Sequence, residues 1–133
     1  MRTHDLHLDS SERRVIDITA AAEEFAVGDE DGLLNIFVPH ATAGIALMET
    51  GSGSEADLVD ALERLLPRDD RYAHQHGSDG HGADHLLPVL VSPSLSIPVR
   101  KGRVLLGTWQ RIVLVDLNRD NPERTVRLSL LTG

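Results

Sequence analysis

The stretch QRIVLVDLN, residues 110–118, is apolar on both faces of an extended chain. Successive side chains of a strand point to opposite sides, so a strand of this kind is stable only when both sides are covered. It therefore predicts a central, fully buried strand, and the rest of the chain has to supply its cover.

The neighbouring segments supply strands. SLSIPVRKGRVLLG reads as a hairpin, with Leu95, Ile97 and Val99 alternating against Ser94, Ser96 and Pro98, and Lys101-Gly102 as its tight turn. RTVRLSLL (124–131) alternates as a half-exposed strand, and Asn118 to Pro122 turns the chain before it. Near the start, THDLHLDS places Leu6 and Leu8 on one face of a strand. LLNIFV (33–38) and GIALME (44–49) are two more strands, joined through Pro39-His40-Ala41-Thr42-Ala43.

Helices fall early and in the middle. DITAAAEEFAVG reads as a short helix capped by Asp17 or Thr19 and ended by Gly28. EADLVDALERLL carries Leu58, Leu62, Leu65 and Leu66 on one stripe, with Ser54 and Asp57 spaced as a capping box and Pro67 as the stop. HLLPVLV reads as a short helix broken near Pro88. There is no regular βαβ repeat, so the expected fold is α+β, a mostly antiparallel sheet or sandwich with two or three helices, in one domain over 1–133. Aromatic residues are only 3% of the chain, so its core must be Leu, Val, Ile and Ala.

The chain has no cysteine, which removes disulfides and thiolate metal sites and leaves His with Asp or Glu as the donors for a transition metal. A net charge of −8 argues against nucleic-acid binding, which needs a basic surface to displace counterions. No apolar run reaches membrane-spanning length and the start has no hydrophobic signal core, so a cytoplasmic protein with no membrane partner is expected. Charge is uneven. Residues 1–99 hold six Lys or Arg against 18 Asp or Glu, and residues 100–133 hold seven against three. The arginines of the last quarter either pair with the acidic remainder or meet an anionic ligand.

Four of the seven histidines lie in YAHQHGSDGHGADH, residues 72–85. His74, His76, His81 and His85 form either a solvated loop or one wall of a site. Folded back over the strand end that carries His40, they would put imidazoles from separate elements on one cation and leave a coordination position open, as a catalytic zinc site requires. His74-x-His76 and His81-x₃-His85 have workable chelate spacings, but Gly80 and Gly82 speak against a helix starting at 81. GSGS (51–54) before a helix reads as a flexible turn with a cap rather than as an anion site, since Glu49 and Glu55 flank it and no Walker-type Lys follows. Asp116, alone in the apolar run VLVDLN, needs a partner or a metal, and the structural role is favoured. Trp109 is read first as core, with a stacking wall for a flat heterocycle as its alternative, and Gln110 beside it as a donor or acceptor for a ring edge. There is no GxSxG elbow and no Cys nucleophile.

The motifs VPHATAGIALMETG, Asp57-Leu58, Tyr72-x-His74, His85-Leu86 and IPVRKGRVLLGTWQRIVLVDL, closed by an arginine-led strand, follow one another in the order seen in the YjbQ family, which this sequence resembles over nearly its whole length. The resemblance implies a small α+β fold assembling as a homotrimer and an activity of the secondary thiamine-phosphate synthase type. A thiazole phosphate nitrogen would take the carbon of a hydroxymethylpyrimidine diphosphate as pyrophosphate leaves, so the substrates are phosphorylated small molecules. It implies a divalent metal, zinc or magnesium, on His40, His74 and His85. Glu49, Asp57 and Gln110 fall on catalytic positions, and Thr42, Trp109 and Arg111 on substrate-binding ones. The sequence departs from the pattern at Met48, where many members have Asn, and at GHGAD before His85, which brings in His81 as a rival ligand. The alternatives are a hydrolase using a metal-bound hydroxide, with Glu49 as base, and a non-catalytic trimeric metal- or ligand-binding protein.

Overall fold

In the computed structural model, which describes residues 1–75 and 77–133, the strands form two antiparallel sheets. Chain order runs β1 (Arg2–Asp9), β2 (Val15–Asp17), α1 (Thr19–Ala26), β3 (Gly32–Phe37), β4 (Gly44–Met48), α2 (Ser54–Leu65), α3 (His81–Asp84), α4 (Leu87–Leu90), β5 (Ser94–Arg100), β6 (Arg103–Val104), β7 (Arg111–Val115) and β8 (Glu123–Thr132). The larger sheet has the order β1-β8-β3-β5-β6 and the smaller the order β2-β7-β4. The expected α+β class is what the chain adopts.

The doubly apolar strand sits where its pattern requires. β7 is the middle strand of the smaller sheet, pairing Val113 with Asp17 on one side and Ala46 on the other. Ile112 and Leu114 face the larger sheet and pack in one cluster with Leu34, Ile36, Ile97, Val126, Leu128 and α1. Val113, Val115 and Leu117 face the opposite way and pack on Leu62 of α2 and Leu87 of α4. Each of these fully buried aliphatic side chains contributes roughly 1.5–3 kcal/mol through area removed from water. The result is a layered arrangement of sheet, sheet and helices around β7.

Local chemistry differs from expectation at several element ends. β2 is a short strand that the sequence reading did not include. Asp17 accepts the Thr19 N–H at 2.9 Å just before α1, whereas the Thr19 hydroxyl accepts the Ile112 N–H at 2.8 Å and so ties the helix start to β7 rather than capping it. The Ser54–Asp57 capping box does not form. Gly53 takes the N-cap in a left-handed conformation, and Glu55 reaches back to the Gly51 N–H at 3.0 Å. Leu65, expected on the buried stripe, is exposed, while Leu62 of the same stripe is buried. The Lys101-Gly102 turn forms as expected, with φ positive at both residues. None of the described helices is long and apolar enough to cross a membrane.

Much of the charge asymmetry resolves within the fold. Arg127 pairs with Asp5, Arg111 with Asp17, and Arg124 with Asp116. The Arg124–Asp116 pair is enclosed between the layers, at 3% and 2% exposure. Arg124 donates to both Asp116 oxygens at 2.6 and 3.0 Å and to the Thr42 hydroxyl at 2.8 Å, while the Ser10 hydroxyl donates to Asp116 at 2.6 Å. Asp116 is thus a partnered structural carboxylate.

Candidate metal centre

The histidine-rich stretch folds into a site. His81 begins α3 and His85 follows its last residue, so the i, i+4 spacing puts both rings on one helical face. Their Nε2 atoms lie 3.0 Å apart. His74, on the segment before the helix, brings its ring to 4.4 Å from that of His85 and 5.0 Å from that of His81, centroid to centroid. One nitrogen from each of the three rings falls within 4.8 Å of the other two. Among the described residues this is the group of three or more His, Cys, Asp or Glu side chains placed to share an ion.

The helix at 81 corrects the sequence reading, and the glycines that argued against it explain it. Gly80 takes the N-cap in a left-handed conformation. A Cβ at Gly82 would stand 2.7 Å from the His74 carbonyl oxygen and from the Tyr72 Cβ, so only glycine lets α3 close on the segment that carries His74. A Cβ at Gly77 (φ +84) would stand 2.7 Å from His81 Nδ1 and 2.8 Å from an Asp120 oxygen. That is the position of the hydrogen bond that orients His81.

The orienting bond runs from His81 Nδ1 to Asp120 Oδ2 at 2.8 Å. A carboxylate only accepts, so Nδ1 carries the proton and Nε2 presents its lone pair toward His85. Carboxylate–histidine–metal arrangements of this form fix tautomer and ring angle and raise ligand basicity. The Asp120 carboxyl is held below the usual carboxylate range, first by hydrogen bonding from Ser78 and then by His81. Asp84, 1% exposed, anchors the helix from behind. It is gripped by both terminal nitrogens of Arg68 and by Asn118 Nδ2 at 3.0 Å.

The donor set fits zinc-class chemistry. Bonds of about 2.0–2.1 Å to a tetrahedral ion place ligand nitrogens roughly 3.3 Å apart, close to the His81–His85 separation. Three neutral imidazoles leave a fourth position for water or substrate. A pocket of about 50 Å³ opens beside His74 and His81 and is lined with Asp69, Asp70 and Asp79.

His40 stands outside the group. The expected set was His40, His74 and His85, and the structure brings His81 to the other two instead. The Nε2 of His40 accepts the Thr125 N–H at 2.9 Å, extending the ladder of β8 beyond the point where β3 ends at Phe37. Burial, with Arg124 second, holds its imidazole below the usual histidine range, against the opposing pull of Asp116. His76, the other rival ligand, lies outside the described residues.

The remaining expected site residues are spread over the surface and the layers. Thr42 is buried and accepts from Arg124. Glu49 and Asp57 are exposed, the first just after β4 and the second on α2. Gln110 folds back so that its Oε1 accepts the Gly107 N–H at 2.8 Å. Arg111 donates to Asp17 at 2.7 Å. Trp109 is 72% exposed, so the core reading of its indole is corrected. Residues that the sequence reading passed over, Arg68, Asp84, Asn118 and Asp120, complete the surroundings of the histidines. Only the adjacency of Asp84 to His85 signalled any of them.

Fold and site together give an α+β protein with three clustered histidines placed so that they could share an ion. Residues 4–133 match the profile of the family described as UPF0047 protein YjbQ-like. The chain is 62% identical over 133 residues to UPF0047 protein Rv2556c of Mycobacterium tuberculosis, covering 100% of both. In structure it is similar to hypothetical protein APE1520 of Aeropyrum pernix, with a TM-score of 0.88, 36% identity and 100% coverage of both chains. It is similar also to a protein of unknown function from Sulfolobus solfataricus, with a TM-score of 0.86, 26% identity, and coverage of 99% and 97%. The chain belongs to the YjbQ/UPF0047 family.

Proposed function

We propose that this chain is a cytoplasmic metal-dependent enzyme in which His74, His81 and His85 hold a divalent cation of the zinc class. The observation that carries the reading is the convergence of three imidazoles with one of them oriented by a carboxylate. Such an ion supplies charge neutralisation for a leaving group or lowers the pKa of a bound water toward about 7. The resemblance to the YjbQ family supports a reaction of the secondary thiamine-phosphate synthase type. Pyrophosphate leaves a hydroxymethylpyrimidine diphosphate as the thiazole phosphate nitrogen bonds to the released carbon, and the exposed Trp109 indole offers a ring a stacking face.

One observation favours a second reading. The pocket beside the histidines is lined with Asp69, which Arg71 pairs, and with Asp70 and Asp79, an acidic surround that favours a neutral or cationic substrate, for which an ion on the histidines would supply hydrolytic chemistry. A homotrimer is part of the proposal. The exposed Trp109, and Leu47 on the edge strand β4, are apolar surface of the kind that assembly covers.

Incubating the zinc-loaded protein with the two phosphorylated substrates tests this. The synthase reading expects thiamine phosphate and pyrophosphate in equal amounts, at a rate at least about 100-fold lower in a His74→Ala, His81→Ala, His85→Ala variant. Product formed at full rate by that variant rejects the site. Ester turnover without thiamine phosphate assigns the hydrolase.

A further inference from the structure

Asn118 follows the central strand β7, which ends at Val115; it is 7% exposed and uses both ends of its side chain. Its Nδ2 donates to Asp84 Oδ2 at 3.0 Å. Its Oδ1 accepts the N–H of Asp120 at 3.0 Å and of Asn121 at 3.2 Å. Its own N–H donates to Asp116 Oδ1 at 3.0 Å, which fixes it to the buried Arg124–Asp116 pair. Asp84 is the last residue of the helix that starts at His81, and Asp120 orients the His81 ring.

We infer that Asn118 is the positioning residue of the histidine centre: one carboxamide sets the helix that carries His81 and the turn that carries Asp120 at the spacing their hydrogen bond needs. It acts through Asp84 and Asp120, and through them it holds the histidine centre in register with the core. An asparagine suits the position because it needs a donor at one end and an acceptor at the other. Aspartate would turn a second carboxylate on Asp84, and alanine would leave both Asp84 and the turn without their shared partner.

The inference rests on the reading of His74, His81 and His85 as a metal site, and its test separates the two. Cobalt(II) is titrated into wild type, Asn118→Ala and Asn118→Ser, with backbone amide spectra confirming that each variant is folded. The imidazole nitrogens of His81 are recorded without metal at a pH well above the histidine range. In wild type His81 carries its proton on Nδ1. In Asn118→Ala that preference is lost to a mixture of tautomers, and cobalt affinity falls roughly 10–100-fold with a changed d–d spectrum. Asn118→Ser keeps an acceptor for the turn, but its hydroxyl is shorter than the carboxamide that reaches Asp84, and it falls between.

A merely structural role would lower stability and leave the tautomer and the cobalt spectrum of the folded variant unchanged, which overturns the inference. Where the alanine variant does not fold, the serine variant decides by the same two readouts. A wild type that binds no cobalt sinks the metal reading, and the His81 tautomer in the metal-free variants then decides Asn118 alone.

Discussion

His81 and His85 approach to 3.0 Å between their Nε2 atoms, while the far nitrogen of His81 is tied to Asp120. Two neutral imidazoles in that relation share at most one proton between the facing nitrogens. With the His81 proton held at Nδ1 by Asp120, the proton between the facing nitrogens belongs to His85, and an ion taking its place would meet both lone pairs.

The first prediction concerns that carboxylate. Asp120→Ala frees the His81 tautomer and removes the acceptor for the Ser78 N–H. Zinc affinity, measured by competition with a chelating dye, falls about 10–100-fold. An unchanged affinity would mean that Asp120 does not orient a ligand.

The second concerns the enclosed ion pair. Arg124→Met leaves Asp116 buried without its counter-charge and Thr42 without its donor. Breaking a buried pair by removing one partner costs about 3–5 kcal/mol, so the urea midpoint drops sharply. Arg124→Met combined with Asp116→Leu recovers a large part of that loss. A single variant within about 0.5 kcal/mol of wild type would contradict the role given to the pair.

The third concerns pH. His40 must be neutral at Nε2 to accept the Thr125 N–H, and burial, then Arg124, lowers its pKa in the fold. An unfolded histidine titrates near 6.5. Below that value the unfolded chain takes up a proton that the folded chain refuses. The contribution of His40 is therefore complete above about 6.5 and declines as pH falls to the lower folded value. His40→Gln can offer an amide oxygen to Thr125 without titrating. The stability gap between wild type and this variant, followed by urea unfolding, shifts against wild type as pH drops from 8 toward 5. A gap independent of pH would show that the ring does not titrate in this role.

The sequence made β7 legible because a strand apolar on both faces has one solution, and it made the Lys101-Gly102 hairpin legible because a glycine between two alternating segments supplies the left-handed position that a tight turn needs. β2 escaped because Val15-Ile16-Asp17 is too short to show alternation and runs straight into α1. The concentration of histidines marked the segment of the centre, but not its membership. Gly80 and Gly82 read as helix breakers, whereas in the fold one caps α3 and the other lets it pack. Treating them as breakers separated His81 from His85, while the resemblance supplied His40 to the set. Asp120 was invisible for a different reason. Its turn was read from Asn118 to Pro122, but its bond to His81 joins residues distant in the chain, which no local spacing encodes.

Equilibrium zinc binding, by calorimetry on the purified chain and on the His74→Ala, His81→Ala, His85→Ala variant, tests the central claim most directly. The account predicts one ion bound per chain in wild type, weakening as pH falls and protons compete for the imidazoles, and no specific binding in the variant, with His40→Gln indistinguishable from wild type. Binding that survives loss of the three histidines, or that disappears with His40 alone, would contradict it.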